Sequence, residues 1–376
     1  MGSGNIRTTF ASEGVEFLIS GEEKVPLSSV NGKMICLFFS ANWCRPCKNF
    51  SPQLVQLYST LRTMGENLEI IFVSFDRDES GFSEHFKTMP WLAVPFNVNL
   101  HKRLSKLYNV HHIPSFLPLG SDVCQVEEDA VGFIEDYGAD AFPFTKKRKE
   151  ALKAMDEVKL QGGKLEELLA HGGRNYLVSG HGRKILVSEL VGKTIGLYFG
   201  AHWCPPCQTF SAQLIETYNE LHTTRDCFEI VFVSTDRDHD EFDLNMRKMP
   251  WVVIPYEDRT RQDLCRIFDI KEIPALVLLG WDGKTISTKG RAMISLYGAD
   301  AFPFTESRIE EIETALRKEA DGLPRQIKDQ KHQHVLKLEM PKTFVCDSCK
   351  KRGSFWAFSC DICDYDLHPT CVQQEF

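Results

Sequence analysis

The sequence predicts an α/β protein made of two tandem copies of one domain, each a central mixed sheet flanked by helices, followed by a small metal-bound module. Three observations predict this architecture. A Trp-Cys-x-Pro-Cys motif at residues 43–47 returns 160 residues later at 203–207. Strand-like and helix-like patterns alternate along each copy. Cysteine and histidine residues cluster beyond residue 330. A length of 376 residues is also enough for two or three domains.

The internal repeat covers most of the chain at one constant offset. Because no net insertion separates the matching segments, duplication of one domain is the economical explanation. We therefore expect one copy at 10–160, the second at 164–320 and the metal-binding module at 330–376. The matching segments are 73–78 with 233–238, 89–91 with 249–251, 113–114 with 273–274, and 137–145 with 297–305.

Composition excludes several classes of protein. Apolar residues make up 43% of the chain and the net charge is −8, so no cationic surface for nucleic acid is expected. Its apolar runs are much shorter than a membrane helix, and we expect no membrane association. Thirteen cysteines are too few for a disulfide-dense secreted scaffold. The amino terminus lacks a secretory pattern, which favours a reducing compartment.

Within each copy, the elements can be placed in order. Short apolar runs at 33–39 and 193–199 indicate buried strands. Each leads into a CxxC pair whose proline, Pro46 or Pro206, suits the first turn of a helix. Further strands are expected at 68–75, 115–119 and 275–279, with a polar helix at 79–87 and a hairpin turn at Asp282-Gly283.

The CxxC pairs are candidate redox centres. Cys44 and Cys204 would stand at helix N-termini, where free backbone N–H groups and the helix dipole stabilise a thiolate. Cys47 and Cys207 follow one turn later, close enough to form a disulfide. The outer cysteine of each pair would attack a substrate disulfide, and the inner one would resolve the mixed disulfide. Half of a zinc site is the alternative, but each copy has a single CxxC pair.

These motifs resemble the thioredoxin-like fold, and specifically its tryparedoxin and nucleoredoxin branch. The resemblance rests on Phe-Phe-Ser-Ala-Asn-Trp-Cys at 38–44, Tyr-Phe-Gly-Ala-His-Trp-Cys at 198–204 and the Met-Pro-Trp segments. It implies a cis-proline that faces each CxxC pair and binds substrate backbone. Trp43 and Trp203 are expected to shield the disulfide and to contact partners, and a plain packing role is the alternative. The implied substrate-binding residues are Trp43, Ile113 and Pro114 in the first copy and Trp203, Ile273 and Pro274 in the second.

One departure from thioredoxin affects proton transfer. Thioredoxin has a buried aspartate six residues before its first active cysteine, whereas this chain has Phe38 and Tyr198. Asp76 and Asp236 are candidate replacements, and solvated carboxylates at strand ends are the alternative. The two motifs also differ after the outer cysteine, where Arg45 in the first copy corresponds to Pro205 in the second.

The carboxyl-terminal cluster has the composition of a zinc module. Eight nitrogen and sulfur ligands within about 45 residues would form two tetrahedral sites and replace a hydrophobic core. The cluster resembles the plant C1-like (DC1) modules, and this resemblance implies interleaved ligand sets. Disulfides are the alternative. The implied sets are Cys346, Cys349, His368 and Cys371 for one zinc ion, and His332, His334, Cys360 and Cys363 for the other.

The whole arrangement resembles the plant nucleoredoxins of the two-domain type. This resemblance implies a protein-disulfide reductase that draws electrons from NADPH through a thioredoxin reductase, in cytoplasm and nucleus. No glycine-rich nucleotide motif is present, so NADPH would act only indirectly. A disulfide isomerase or oxidase and a redox-regulated adaptor or holdase are the alternatives. The basic run 146–149 is either a nuclear import signal or a solvated helix face.

Overall fold

The computed structural model describes residues 6–119, 130–162, 164–224 and 227–372. The chain divides into two compact units, Met1–Asp156 and Glu157–Phe376. The first unit holds the first copy of the repeat. The second unit holds the second copy together with the carboxyl-terminal module, which packs against it.

The first repeat begins with a helix and a hairpin and then alternates strands with helices. Its elements are α1 Ile6–Ser12, β1 Phe17–Ser20, β2 Glu23–Pro26, β3 Met34–Ser40, α2 Arg45–Thr63, β4 Leu68–Ser74, α3 Glu79–Phe86, β5 Leu92–Ala93, α4 Val98–Leu107, β6 Ser115–Leu119, α5 Val131–Tyr137 and α6 Lys146–Leu160. They form a six-stranded sheet in the order β2-β1-β5-β4-β3-β6. The strands β3, β4 and β5 are parallel, and β6 runs antiparallel beside β3.

Strand β3 is apolar along its whole length because both of its faces are buried. Phe38 packs in one core with Phe50 of α2 and Phe133 of α5. Phe39 points the other way and packs with Phe10 of α1 and other apolar side chains. Side chains alternate between the faces of a strand, so a strand covered on both faces needs apolar residues at nearly every position. The prediction of a mixed sheet flanked by helices is confirmed.

The second repeat follows the same plan, and its described residues include a strand, Thr285–Ser287, whose first-repeat equivalent lies outside the described ranges. Its elements are α7 Leu165–Leu169, β7 Tyr176–Ser179, β8 Lys184–Leu186, β9 Thr194–Gly200, α8 Pro205–Thr224, β10 Phe228–Ser234, α9 His239–Met246, β11 Val252–Val253, α10 Thr260–Ile267, β12 Ala275–Leu279, β13 Thr285–Ser287, α11 Gly290–Tyr297 and α12 Glu306–Asp321. The sheet order is β13-β12-β9-β10-β11-β7-β8. The predicted hairpin at Asp282-Gly283 joins β12 to β13, and Gly283 adopts the required left-handed conformation at φ 79°.

The carboxyl-terminal module is a four-stranded antiparallel sheet that packs on the second repeat. Its strands are β14 Gln326–Lys328, β15 Val335–Val345, β16 Arg352–Cys360 and β17 Tyr365–Leu367. Phe355 stacks on Tyr297 at the end of α11, with ring centroids 5.3 Å apart. The indole N–H of Trp356 donates to the Leu316 carbonyl oxygen of α12 at 2.8 Å. Adjacent residues of β16 therefore contact two helices of the second repeat.

The basic run 146–149 forms the first turn of α6. Within this turn, Arg148 donates from Nε to the Asp140 carbonyl oxygen at 2.7 Å. The corresponding Arg308 makes the same bond to Asp300 at 3.0 Å. Arg148 therefore performs a structural task that both repeats share.

None of the helices in the described ranges combines the length and the apolar character that crossing a membrane requires.

Candidate redox and metal sites

Each CxxC pair lies where a central strand passes into a helix. Cys44 precedes the first turn of α2, and the backbone N–H of Cys47 donates to the Cys44 sulfur at 3.2 Å. Cys204 and Cys207 repeat this bond at 3.2 Å at the start of α8. A disulfide joins the cysteines of each pair, whose Cα atoms are 5.2 Å apart. The same N–H groups that contact the disulfide would stabilise a thiolate on the outer cysteine.

A cis-proline faces each disulfide, as the family resemblance implies. The peptide bonds Ile113–Pro114 and Ile273–Pro274 are both cis. The Ile113 carbonyl oxygen lies 3.8 Å from the Cys44 sulfur, and the Ile273 carbonyl oxygen lies 3.9 Å from the Cys204 sulfur. The start of β6 or β12 therefore contacts the outer sulfur directly.

A tryptophan next to each outer cysteine is exposed. The side chain of Trp43 is 57% exposed and that of Trp203 is 41% exposed, which is unusual for so large an apolar residue. Arg77 lies over the Trp43 ring at 5.6 Å, and Arg237 lies over the Trp203 ring at 4.6 Å. Each site therefore presents a flat apolar surface with a cation beside it.

Asp76 and Asp236 are buried, with 5% and 6% of their surfaces exposed, so the solvated alternative is wrong. Asp76 accepts hydrogen bonds from the Asn42 backbone N–H at 2.8 Å and from the Ser74 hydroxyl at 2.8 Å. Asp236 accepts the equivalent bond from the His202 backbone N–H at 2.5 Å. The carboxylates thus fix the backbone two residues before each outer cysteine.

The groups around these carboxylates differ between the repeats, which the sequence reasoning missed. In the first repeat, His85 Nδ1 lies 3.9 Å from Asp76 Oδ2, and burial lowers the pKa of His85. Burial likewise lowers the pKa of His101, whose charge would interact with Asp76. In the second repeat, the equivalent positions hold Asn245 and Arg261. Asn245 donates to Asp236 at 3.4 Å. Comparing the two copies position by position could have revealed this difference.

Outside the motifs and the carboxyl-terminal module, the described cysteines Cys36, Cys227 and Cys265 form no disulfide. Burial raises the pKa of Cys36 well above its usual value and that of Cys265 to about 11. Both therefore hold little thiolate at neutral pH and behave as small buried residues. Cys124 lies outside the described residues.

The carboxyl-terminal module gathers its cysteines and histidines into two clusters, each with ligand atoms that lie within 4.8 Å of one another. Their membership matches the interleaved sets that the resemblance implies. One cluster is Cys346, Cys349, His368 and Cys371, and the other is His332, His334, Cys360 and Cys363.

The distances within both clusters fit a tetrahedral zinc ion. Zinc bonds of about 2.3 Å to sulfur and about 2.0 Å to nitrogen put neighbouring ligand atoms roughly 3.6 Å apart. In the first cluster, His368 Nδ1 lies 3.3 Å from Cys349 Sγ and 3.6 Å from Cys371 Sγ. In the second, His334 Nδ1 lies 3.2 Å from Cys363 Sγ and 3.8 Å from Cys360 Sγ. The donor types, Cys₃His and Cys₂His₂, are those of structural zinc sites.

Known families match segments of both repeats and of the carboxyl-terminal module, and related proteins match most of the chain. A thioredoxin-like family matches residues 31–124 and 192–285, and a C1 domain family matches residues 330–372. A probable nucleoredoxin 3 from Arabidopsis thaliana is 61% identical, over 99% of this chain and 95% of its own length. A probable nucleoredoxin 3 from Oryza sativa subsp. japonica is 52% identical, over 88% of this chain and 72% of its own length. The solved structure of tryparedoxin II from C. fasciculata is 34% identical, covering 38% of this chain and 99% of that one, with a TM-score of 0.36.

Proposed function

Because this chain belongs to the nucleoredoxin family of thiol-disulfide oxidoreductases, we propose that it reduces disulfides in target proteins through two active sites, Cys44–Cys47 and Cys204–Cys207. The observation that carries the proposal is the position of each disulfide at a helix N-terminus, opposite a cis-proline. That position provides both an activated thiolate and a place for substrate backbone.

The reaction needs the reduced form of each pair. The thiolate of Cys44 attacks one sulfur of the substrate disulfide, and the other substrate sulfur leaves with the bonding electrons and takes a proton. Cys47 then attacks Cys44, which re-forms the Cys44–Cys47 disulfide and releases the second substrate thiol. The substrate gains two electrons and two protons, and the enzyme dithiol loses them. Cys204 and Cys207 act in the same way.

We propose that the Ile-Pro segment and the tryptophan beside each outer sulfur bind the substrate. An extended substrate segment could form backbone hydrogen bonds next to Ile113–Pro114 or Ile273–Pro274, because these segments lie against the attacking sulfur. Trp43 and Trp203 would contact the substrate, since both are exposed beside the motif. We propose disulfide-containing proteins as substrates, with electrons from NADPH through a thioredoxin reductase.

The carboxyl-terminal module would hold two zinc ions in the clusters described above. The ions would supply the folding energy that so small a sheet lacks. Cluster geometry and donor types support this assignment.

We further propose that the protein works in cytoplasm and nucleus, neither of which promotes structural disulfides. Lys146 and Lys147 are exposed at the start of α6 and are the residues that an import receptor could bind. A fluorescent fusion tests this: Lys146→Ala with Lys147→Ala should lower the nuclear share. An unchanged share would contradict the import role.

A turnover assay tests the proposed function. It combines a protein substrate such as insulin with NADPH, a thioredoxin reductase and either the unsubstituted chain or Cys44→Ser with Cys204→Ser. We expect NADPH consumption to fall to background in the double variant, because both attacking sulfurs are absent. Equal NADPH consumption by both proteins would contradict the proposal that this chain reduces disulfides. It would favour the alternative of a redox-regulated adaptor.

A trapping experiment identifies the substrates and separates reduction from oxidation or isomerisation. Cys47→Ser with Cys207→Ser removes both resolving sulfurs, so mixed disulfides through Cys44 and Cys204 should accumulate. Scrambled ribonuclease that regains activity without NADPH would indicate isomerisation instead.

A further inference from the structure

In the second repeat, the hydroxyl of Tyr198 in β9 contacts the first turns of α8, the helix that carries the inner cysteine. It donates to the Cys207 carbonyl oxygen at 3.2 Å and lies 2.8 Å from the Ser211 hydroxyl. Burial raises the pKa of Tyr198 to about 12, so this hydroxyl keeps its proton at neutral pH.

The residue at position 200 must be small for this arrangement. A Cβ atom on Gly200 would lie 2.9 Å from the Tyr198 hydroxyl oxygen, which is closer than such atoms approach. The equivalent positions of the first repeat hold Phe38 and Ser40. Phe38, at the position of Tyr198, has no hydroxyl. Ser40, at the position of Gly200, carries one. Each repeat therefore brings one hydroxyl to this part of the strand, from two different positions.

The Ser40 hydroxyl is buried and has no hydrogen-bond partner among the described residues. Side chains alternate along β3, so Ser40 shares a face with Phe38, whose ring lies 5.9 Å from that of Phe50 in α2. This face is covered by the helix whose first turn carries Cys47. An unpartnered buried hydroxyl is destabilising, and such groups in native proteins call for an explanation.

We propose that the Ser40 and Tyr198 hydroxyls are equivalent groups that donate a hydrogen bond to the sulfur of Cys47 and Cys207, respectively, once the disulfide is open. The inference rests on the proposed function, because the inner sulfur is free only within that cycle. Ser51 donates to the Cys47 carbonyl oxygen at 2.9 Å in the first repeat. Its equivalent, Ser211, can take over this bond in the second repeat and free the Tyr198 hydroxyl.

The hydrogen bond acts on the resolving step. The Cys47 thiol loses its proton to solvent, its sulfur bonds to Cys44, and the bond between Cys44 and the substrate sulfur breaks. The substrate sulfur leaves with the electron pair and takes a proton from solvent. A donor beside Cys47 stabilises its thiolate and so increases the fraction of molecules that can resolve.

The reaction of the reduced protein with 5,5′-dithiobis(2-nitrobenzoate) measures this step. Attack by the outer cysteine releases one chromophore, and resolution by the inner cysteine releases a second. The full chain carries Cys204→Ser and Cys207→Ser, so Cys44–Cys47 is the one CxxC pair that reacts. The same chain with Cys44→Ser and Cys47→Ser added gives the release from the other cysteines, which is subtracted. We expect Ser40→Ala to slow the second release about tenfold, the effect of one charge-assisted bond, and to leave the first release unchanged. Its melting temperature should rise, since an unpartnered buried hydroxyl is removed. A second release at the unsubstituted rate would overturn the inference.

A swap between the repeats separates this role from packing. Ser40→Gly should slow resolution as Ser40→Ala does, and adding Phe38→Tyr should restore it by recreating the second repeat's arrangement. The ratio of disulfide to dithiol in glutathione buffers should follow the same order. A double variant that resolves no faster than Ser40→Gly would also overturn the inference. Failure of the unsubstituted site to release a second chromophore would overturn the proposed function as well, so the two failures are distinguishable.

Discussion

At the scale of single residues, the two active sites differ next to the attacking sulfur. Arg45 follows Cys44 in the first repeat and is exposed, whereas Pro205 follows Cys204 in the second. A cation near a thiolate stabilises it, and an exposed pair of charges contributes up to about 1 kcal/mol.

We therefore predict that reduced Cys44 reacts with iodoacetamide faster than reduced Cys204 below neutral pH. Arg45→Pro should slow the reaction of Cys44 by roughly two- to fivefold, in line with a surface charge pair. Pro205→Arg is the reciprocal variant and should accelerate Cys204. Alkylation rates followed by peptide mass spectrometry measure both effects, and a faster Cys204 in the unsubstituted chain would contradict the prediction.

The buried histidines near Asp76 predict a pH-dependent stability of the first repeat. Burial lowers the pKa of His85 and His101 below their usual 6.5 in the folded protein. As the pH falls through this value, the unfolded chain binds protons that the folded chain excludes, so stability is present above it and is lost below it. The second repeat holds Asn245 and Arg261 at these positions.

His85→Asn reproduces the second repeat and should reduce this pH dependence. Hydrogen exchange of first-repeat peptides between about pH 5 and 8, corrected for intrinsic rates, gives the local free energy of opening. The second repeat of the same chain serves as internal control for the histidine effect. If the free energy of opening of His85→Asn fell as steeply with falling pH as that of the unsubstituted chain, His85 would not contribute to the pH dependence.

At the scale of elements, a glycine in β16 allows the first metal cluster to form. A Cβ atom on Gly353 would lie 2.6 Å from His368 Nε2 and would also meet the Phe344 ring. The opposite ring nitrogen of His368 belongs to the cluster with Cys349 and Cys371. Strand β16 and the cluster therefore depend on the absence of a side chain at this position.

We predict that Gly353→Ala displaces His368 and lowers the zinc content from the proposed two ions per chain to about one, because one ligand set loses a member. Elemental analysis of the purified protein measures this content. Cys349→Ser, which removes a ligand outright, should give the same result.

Gly132→Ala is a matched control for this substitution. A Cβ atom at Gly132 meets nothing within 4 Å. The control should therefore retain the full zinc content. A full zinc content in Gly353→Ala would contradict the prediction, because it would show that the module accommodates the added methyl group.

Short strands were the hardest to predict from sequence. The edge strand β2 has the exposed pair Glu23-Lys24, and β5, which lies between β1 and β4, has only two residues. Such strands are too polar or too short to show an apolar run, and their pairing is decided by distant strands. The cis bonds at Phe142–Pro143 and Phe302–Pro303 were missed as well, because nothing local distinguishes them from ordinary X-Pro bonds.

At the scale of the whole molecule, the groups named at each redox site come from one repeat. Cys44, Cys47, Pro114 and Asp76 all lie in the first compact unit, and their equivalents all lie in the second.

We therefore predict that the sites work independently. Chains with Cys44→Ser and Cys47→Ser, or with Cys204→Ser and Cys207→Ser, should each keep part of the insulin turnover. The two partial rates should add up to the unsubstituted rate within about a factor of two. Complete loss of turnover in either chain would instead indicate a relay in which electrons pass through both pairs.

The sequence by itself determined the duplication, the central strands and the two CxxC pairs, which follow from a constant offset and from motifs of residues a few positions apart. The membership of both ligand clusters was implied by the resemblance to the C1-like modules. Only the tertiary structure decided that Asp76 is buried, that Ser40 lacks a partner and that the module packs on the second repeat. Burial and hydrogen bonding depend on side chains that come together from distant parts of the chain, and a local sequence pattern does not predict such contacts.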